Sequence, residues 1–153
     1  MPTKSKLFII LLYTFSLINF FYINLYADEF NLSAVEVSVD KSNNIVIGKG
    51  SVVVTDSDGR IINADKITYD KSKEFLKAEG SVKITNQNGS ILKTKTATYD
   101  KPNEIIVTYD NSELILKTGH TLKSNLITFE TTKKVLSSSQ NSVFTDIDGN
   151  IVY

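Results

Sequence analysis

From residue 31 onward the apolar positions of the chain fall into rows that recur every thirty residues. Leu32, Ile62, Leu92 and Leu122 form one row, and Ala34, Ala64, Thr94 and Ser124 form the next. Val37, Ile67, Ala97 and Ile127 follow, and then Val39, Tyr69, Tyr99 and Phe129. Within one unit the step between these positions is two, then three, then two. Successive side chains of a strand point to opposite faces, so a plain strand keeps a step of two. One extra residue near Asp65-Lys66 restores the phase if the strand carries a β-bulge there. A second set of rows reads the same way: Val46, Leu76, Ile106 and Leu136; the small or polar Gly48, Ala78, Thr108 and Ser138; then Val54, Ile84, Leu114 and Phe144. The opposite face is Lys, Thr, Asn, Glu and Ser almost throughout, as a solvated face requires.

The punctuation has the same period. Gly59, Gly89, Gly119 and Gly149 stand thirty residues apart with no insertion, and a fixed repeat sets the architecture before any local reading does. Asp58-Gly59 and Asn88-Gly89 are hairpin signals, because glycine accepts the positive φ of a tight turn. The other connection is Asp70-Lys71-Ser72-Lys73, repeated as Asp100-Lys101-Pro102-Asn103, where Pro102 suits the second position of a type I turn. Each unit is predicted to hold two strands, residues 45–55 and 61–69 in the leading copy, with an earlier strand over 31–40. No window shows the spacing of an amphipathic helix. Gly50-Ser51-Val52 and Gly80-Ser81-Val82 put glycine inside a strand, which marks a bend. The later copies, Asp110-Asn111-Ser112 and Gln140-Asn141-Ser142, read as decayed versions.

The prediction is an all-β meander of about four thirty-residue, two-strand repeats, bent along one line into a trough with an apolar inside. About eight inward residues per thirty is modest for a closed core, so the small rows are expected to leave the interior open. The same rows also suit the filled core of a β-sandwich.

The N-terminus follows a different rule. Lys4 and Lys6 precede an almost wholly apolar run over residues 7–26, and Asp28-Glu29 follow Ala27. A basic head, an apolar run and a small residue before an acidic pair read as a secretory signal peptide, residues 1–27, although Leu25 departs from the small residue usual two before the cut. The run is also long enough to span a bilayer as an uncleaved anchor. Either way residues 28–153 are exported. Ile151-Val152-Tyr153 begins a strand that in earlier copies runs about ten residues, so this domain reads as truncated at its C-terminus, one section of a longer protein.

Composition removes several classes of chemistry. The 17 basic and 17 acidic residues balance, and without Lys4 and Lys6 the exported part carries 15 against 17, a charge of −2. That gives no electrostatic case for nucleic acid. With no cysteine there is neither a disulfide framework nor a thiolate metal site. The one histidine, His120, directly follows a turn glycine, and no acid-base pair stands at a set spacing, so no enzyme, metal or cofactor is expected. Asp56-Ser57-Asp58-Gly59 and Asp146-Ile147-Asp148-Gly149 resemble a calcium loop only in part, since the later glutamate is missing. Turn chemistry accounts for them.

The units G-K-G-S-V-V-V-T-D-S-D-G-R-I-I-N-A-D-K-I-T-Y-D and E-G-S-V-K-I-T-N-Q-N-G-S-I-L-K-T-K-T-A-T-Y-D resemble the repeats of the organic-solvent-tolerance (OstA-like) family. The likeness runs from about Phe30 to the end and is strongest over residues 48–100. That family includes the lipopolysaccharide bridge protein LptA, the N-terminal domain of LptD and the anchored LptC. The resemblance implies a bent antiparallel β-jellyroll, or β-taco, in the periplasm, whose groove shields the acyl chains of lipid A. It implies stacking edge to edge with other jellyroll domains and an indirect association with the outer membrane. The family carries no catalytic motif. On this reading the groove residues are Val52, Val54, Val82 and Ile84 on one side, with Ile62, Ala64, Ile67, Tyr69, Leu92, Ala97, Tyr99, Ile127 and Phe129 opposite. An LptD- or LptA-like module is the first expectation. The alternatives are an LptC-like anchored acceptor, or a structural β-repeat of the envelope with a filled interior and no ligand.

Overall fold

The computed structural model describes residues 30–139 and 141–152, and every regular element among them is a β-strand. The apolar run over residues 7–26 and the cleavage point after Ala27 lie outside the described residues. The strands are β1 (Phe30–Ser33), β2 (Glu36–Asp40), β3 (Ile45–Asp56), β4 (Ile61–Asp70), β5 (Phe75–Thr85), β6 (Ile91–Asp100), β7 (Ile105–Ile115), β8 (Thr121–Glu130), β9 (Val135–Ser139), β10 (Val143–Thr145) and β11 (Ile151–Val152). They form one open antiparallel sheet in which β3 to β8 pair in chain order. β1 and β2 both pair with β3. β9 and β10 both pair with β8, and β11 closes on β10.

The predicted bend is present in each successive pair from β3–β4 to β7–β8. Lys49 opposes Lys66 and Val52 opposes Ala64, so Gly50-Ser51 stand against Asp65 alone. The register shifts at the same height between Glu79 and Val82, Lys93 and Thr96, and Tyr109 and Ser112. Stacked bulges crease the sheet along one line into two wings. Residues 45–49, 66–70, 75–79, 96–100, 105–109 and 126–130 form one wing, with β2 and β9. The other holds 52–56, 61–64, 82–85, 91–94, 112–115 and 121–124, with β1 and β10. The strand expected over 31–40 is broken at this crease. Its two parts, β1 and β2, are joined through Ala34-Val35, with the Val35 amide donating to the Gly50 carbonyl at 3.0 Å.

Two expectations change here. Asp110-Asn111 is no decayed bend: both residues are left-handed, at φ 65 and 54, like Gly50-Ser51 at 75 and 48 and Gly80-Ser81 at 76 and 47. Asp and Asn enter that region more readily than other side chains, so the substitution keeps the backbone. The rows of small residues also have a different cause. A Cβ at Gly48 would lie 3.1 Å from Val52 Cγ1 and 3.2 Å from Leu32 Cδ2. Ala64, Ala78 and Ala97 are likewise buried. These residues are small because the wings meet at the crease, not because a channel runs there.

In the later units hydroxyls replace methyl groups at this height. Thr94 Oγ1 donates to the Tyr109 carbonyl at 2.6 Å and accepts from Ser112 Oγ at 3.1 Å. Ser124 Oγ donates to the Ser139 carbonyl at 2.7 Å and accepts from Ser142 Oγ. Each pair of hydroxyls thus ties a backbone carbonyl beside the crease. Outside, the wings carry cross-strand ion pairs such as Lys66–Glu79 at 3.5 Å and Lys123–Glu113 at 3.3 Å, each worth a few tenths to about 1 kcal/mol.

Candidate functional site: an apolar cleft between the wings

The interior between the wings is filled in the first units and opens into a cleft in the later ones. Val52, Val54, Ile62, Ile67, Leu76 and Val82 are almost wholly buried in one cluster, with Phe30 at its edge, and the cluster runs on into the buried Ile84, Leu92, Ile106 and Leu114. Along the face of those last four residues the wings enclose a cleft of about 880 Å³. One wall is Ile84, Leu92, Leu114 and Leu116; the facing wall is Ile106, Phe129 and Leu136. The rims are polar. Asp58, Arg60, Asn86, Gln87, Asn88 and Ser90 come from the glycine turns of one wing, and Glu104, Thr131, Thr132 and Lys134 from the four-residue turns of the other. An apolar trough with a wet lip suits a ligand with a hydrocarbon body and a hydrophilic end, and the volume lies within the roughly 300–1,000 Å³ of small-molecule sites.

The repeat produces this geometry through its turns. At the glycine rim, Asp56 Oδ1 accepts from the amides of Asp58 at 3.0 Å and Arg60 at 2.8 Å, which fixes the loop that carries Arg60. At the other rim, Glu74, Glu104 and Lys134 each close a turn in the left-handed region. Asp70 Oδ1 accepts from the Ser72 and Lys73 amides, and the Lys73 hydrogen bond chiefly holds its carboxyl below the ordinary 3.8.

Where the closed half meets the cleft, the rims are bridged. The Arg60 guanidinium lies 4.9 Å over the Tyr99 ring, crossing from one wing to the other. Its Nη1 is 3.1 Å from Asp56 Oδ2 and its Nη2 is 3.7 Å from Asp58 Oδ2. Arg60 is only 7% exposed, and Nη1 and Asp56 Oδ2 make no well-aligned hydrogen bond, so charge rather than alignment holds the pair. Tyr99 donates to Glu104 Oε2 at 2.9 Å, and Thr131 Oγ1 donates to the same oxygen. Burial pushes the Tyr99 phenol up to about 12; the Arg60 contact opposes that shift and Glu104 adds to it. Behind the bridge Phe30 packs edge-on to Tyr69 at 4.8 Å and to Tyr99 at 6.2 Å, and Lys101 Nζ sits 5.8 Å over the Phe30 ring.

The thirteen residues nominated from the sequence thus occupy three settings. Val52, Val54, Ile62, Ala64, Ile67 and Val82 are in the packed half. Tyr69 and Tyr99 belong to the bridged mouth, and Ala97 and Ile127 lie buried beneath it. Ile84, Leu92 and Phe129 line the cleft. Sequence reasoning did not nominate Ile106, Leu114, Leu116 and Leu136, nor the rim residues. For Arg60 a signal existed: the equivalent rim positions are Ser90, His120 and Asn150, so it breaks its own repeat. His120 itself stacks on Phe144 at 5.6 Å on the surface. No cluster of three or more His, Asp or Glu that could hold a metal occurs among the described residues.

No protein-family model matches the sequence, and no curated protein matches it. Among solved structures, the chain is similar to the crystal structure of LptH, the LptA homologous periplasmic component of the conserved lipopolysaccharide transport device from Pseudomonas aeruginosa. The two share 18% identity with a TM-score of 0.66, over 72% of this chain and 82% of that one. At that identity the likeness is one of architecture: this chain has the fold of the LptA homologue.

Proposed function

We propose that the protein is a periplasmic module of lipopolysaccharide transport that takes acyl chains of lipid A into the cleft between its wings. The observation that carries this reading is the cleft itself, two facing apolar walls under a polar lip in a fold shared with a lipopolysaccharide-transport component. Moving a lipid through water requires continuous cover, since each exposed methylene costs about 0.8 kcal/mol. Apolar contact without polar anchors inside the trough suits a ligand that must leave again. The sheet is open, and the outer strands β2 and β9 carry exposed Val37, Val39, Val135 and Leu136. Strand addition by neighbouring jellyroll domains at these edges covers them and aligns the troughs. Export by residues 1–27 belongs to the same proposal, as does assignment to an LptA-like bridge or an LptD N-terminal domain.

The packed first units favour a second reading, a structural β-repeat that carries nothing. One experiment separates the two. A photoreactive residue is placed at Leu114 or Leu136 in the full chain, expressed in a bacterium whose outer membrane contains lipopolysaccharide, with the outward Lys93 as control. Crosslinks to lipopolysaccharide at the two cleft positions and none at Lys93 are expected. Equal labelling at all three, or none at any, removes the transport reading.

A further inference from the structure

The cleft is blind at the end where Arg60 bridges the wings in front of the packed half. On its near side Arg60 lines the cleft together with Ile84 and Glu104. Behind it stand the packed side chains of Phe30, Ile62 and Tyr69. The face it presents to the cleft is the guanidinium laid over Tyr99 and held by Asp56 and Asp58. In the next unit the equivalent rim residue is Ser90, which lines the open cleft instead of bridging it. We propose that Arg60 is the stop that fixes how long a hydrocarbon chain this cleft accepts. The inference rests on the reading of the cleft as an alkyl-chain site, and adds to it a residue that sets chain-length preference.

The chemistry supports a stop rather than a mere neighbour. A terminal methyl that advances past Arg60 must displace a buried charge from two carboxylates and an aromatic face, leaving those groups unpaired. Stacking a ligand chain on Tyr99 in place of the guanidinium gains far less than that displacement loses. Shortening residue 60 removes the obstacle while leaving the aromatic wall behind it in place.

The test measures binding of straight-chain saturated fatty acids, from octanoate to stearate, to the full chain by calorimetry. For the wild type, affinity is expected to rise about fourfold per added methylene, and then to level off where the chain end meets Arg60. In Arg60→Ser, the residue found at position 90, the rise is expected to continue for the few further methylenes that the lost side chain makes room for, whereas Lys93→Ser on the outward face keeps the wild-type plateau. An unshifted plateau in a folded Arg60→Ser overturns the stop and leaves the cleft as an alkyl site. Absence of any binding to the wild type overturns the parent reading, and the stop falls with it. A second measurement needs no variant. Stearate carrying a diazirine at its terminal carbon, photolysed on the wild type, is expected to label Arg60, Ile84 or Leu92; labelling confined to Leu136 on the outer strand, or labelling of Phe30 or Leu32, overturns the proposal.

Discussion

Leu76 and Leu136 occupy the same position of the repeat, sixty residues apart, yet Leu76 is 2% exposed and Leu136 is 40% exposed and faces the cleft. Truncating each to alanine makes the same chemical change in a filled half and in an open half of one molecule. At Leu76 the lost transfer energy is roughly 2.5 kcal/mol for three methylene equivalents, and the packed neighbours add a cavity penalty, giving about 3–5 kcal/mol in all. At Leu136 solvent already reaches the side chain, so at most about 60% of the transfer energy, ~1.5 kcal/mol, is at stake and no cavity forms. Urea denaturation followed by tyrosine fluorescence measures both, since the chain has seven Tyr and no Trp. An unchanged m-value shows that stability alone has moved. The alkyl-binding assay should show the reverse ranking, with Leu136→Ala weakening fatty-acid affinity and Leu76→Ala leaving it near wild type. Equal losses of stability at the two positions would falsify the division of the interior into a closed and an open part.

Three further outcomes are expected. Gly89→Ala has only Lys117 Cγ at 4.0 Å from its new methyl and should lose about 1 kcal/mol for the left-handed backbone. Gly80→Ala meets Asp65 Cβ and Cγ at 2.9 Å and should lose at least a further ~1 kcal/mol in the same denaturation assay; parity between the two variants contradicts the close stacking at the crease. Acid should weaken the fold in a defined window. The Asp40, Asp70 and Asp146 carboxyls are held below 3.8 chiefly by hydrogen bonds from Asn43, Lys73 and Asn150. Their contribution is present above 3.8 and is lost as pH falls through the lower folded values, so Asp70→Asn should flatten the decline in denaturation midpoint below about pH 4. Finally, phenolate absorbance should show one late-titrating tyrosine near 12 that disappears in Tyr99→Phe. Because this folded value is raised above 10.0, the stability it reflects is complete below pH 10 and fades as pH climbs toward 12. A titration in which every tyrosine ionises together near 10 contradicts the burial of Tyr99.

Much of the architecture was legible because the repeat writes it several times. The two-three-two step of Ile62, Ala64, Ile67 and Tyr69 located the bulge at Asp65, and the thirty-residue glycine register located every hairpin of one rim. The bend of the other strands was visible at Gly50 and Gly80 but disguised at Asp110-Asn111, where a different residue pair reaches the same dihedral region. What the rows could not show is which copies close. Leu76 and Leu136 are identical in type and position, and their different fates follow from place in the assembled sheet: Leu76 lies on interior strand β5 and Leu136 on outer strand β9. For the same reason nine-tenths of Arg60 is buried although its rim position is polar in every unit: it is long enough to reach Tyr99 on the opposite wing, and Ser90 is not.

The crease has a consequence for size. Each unit contributes one outgoing and one returning strand at a spacing of about 4.8 Å, so adding or deleting a unit changes the span by about 10 Å without altering the cross-section. The molecule is in this sense a tape measure graduated in thirty-residue marks. Duplication within the coding sequence can extend its reach in discrete, pre-tested increments, because every new segment arrives with both of its turns and its own fold line.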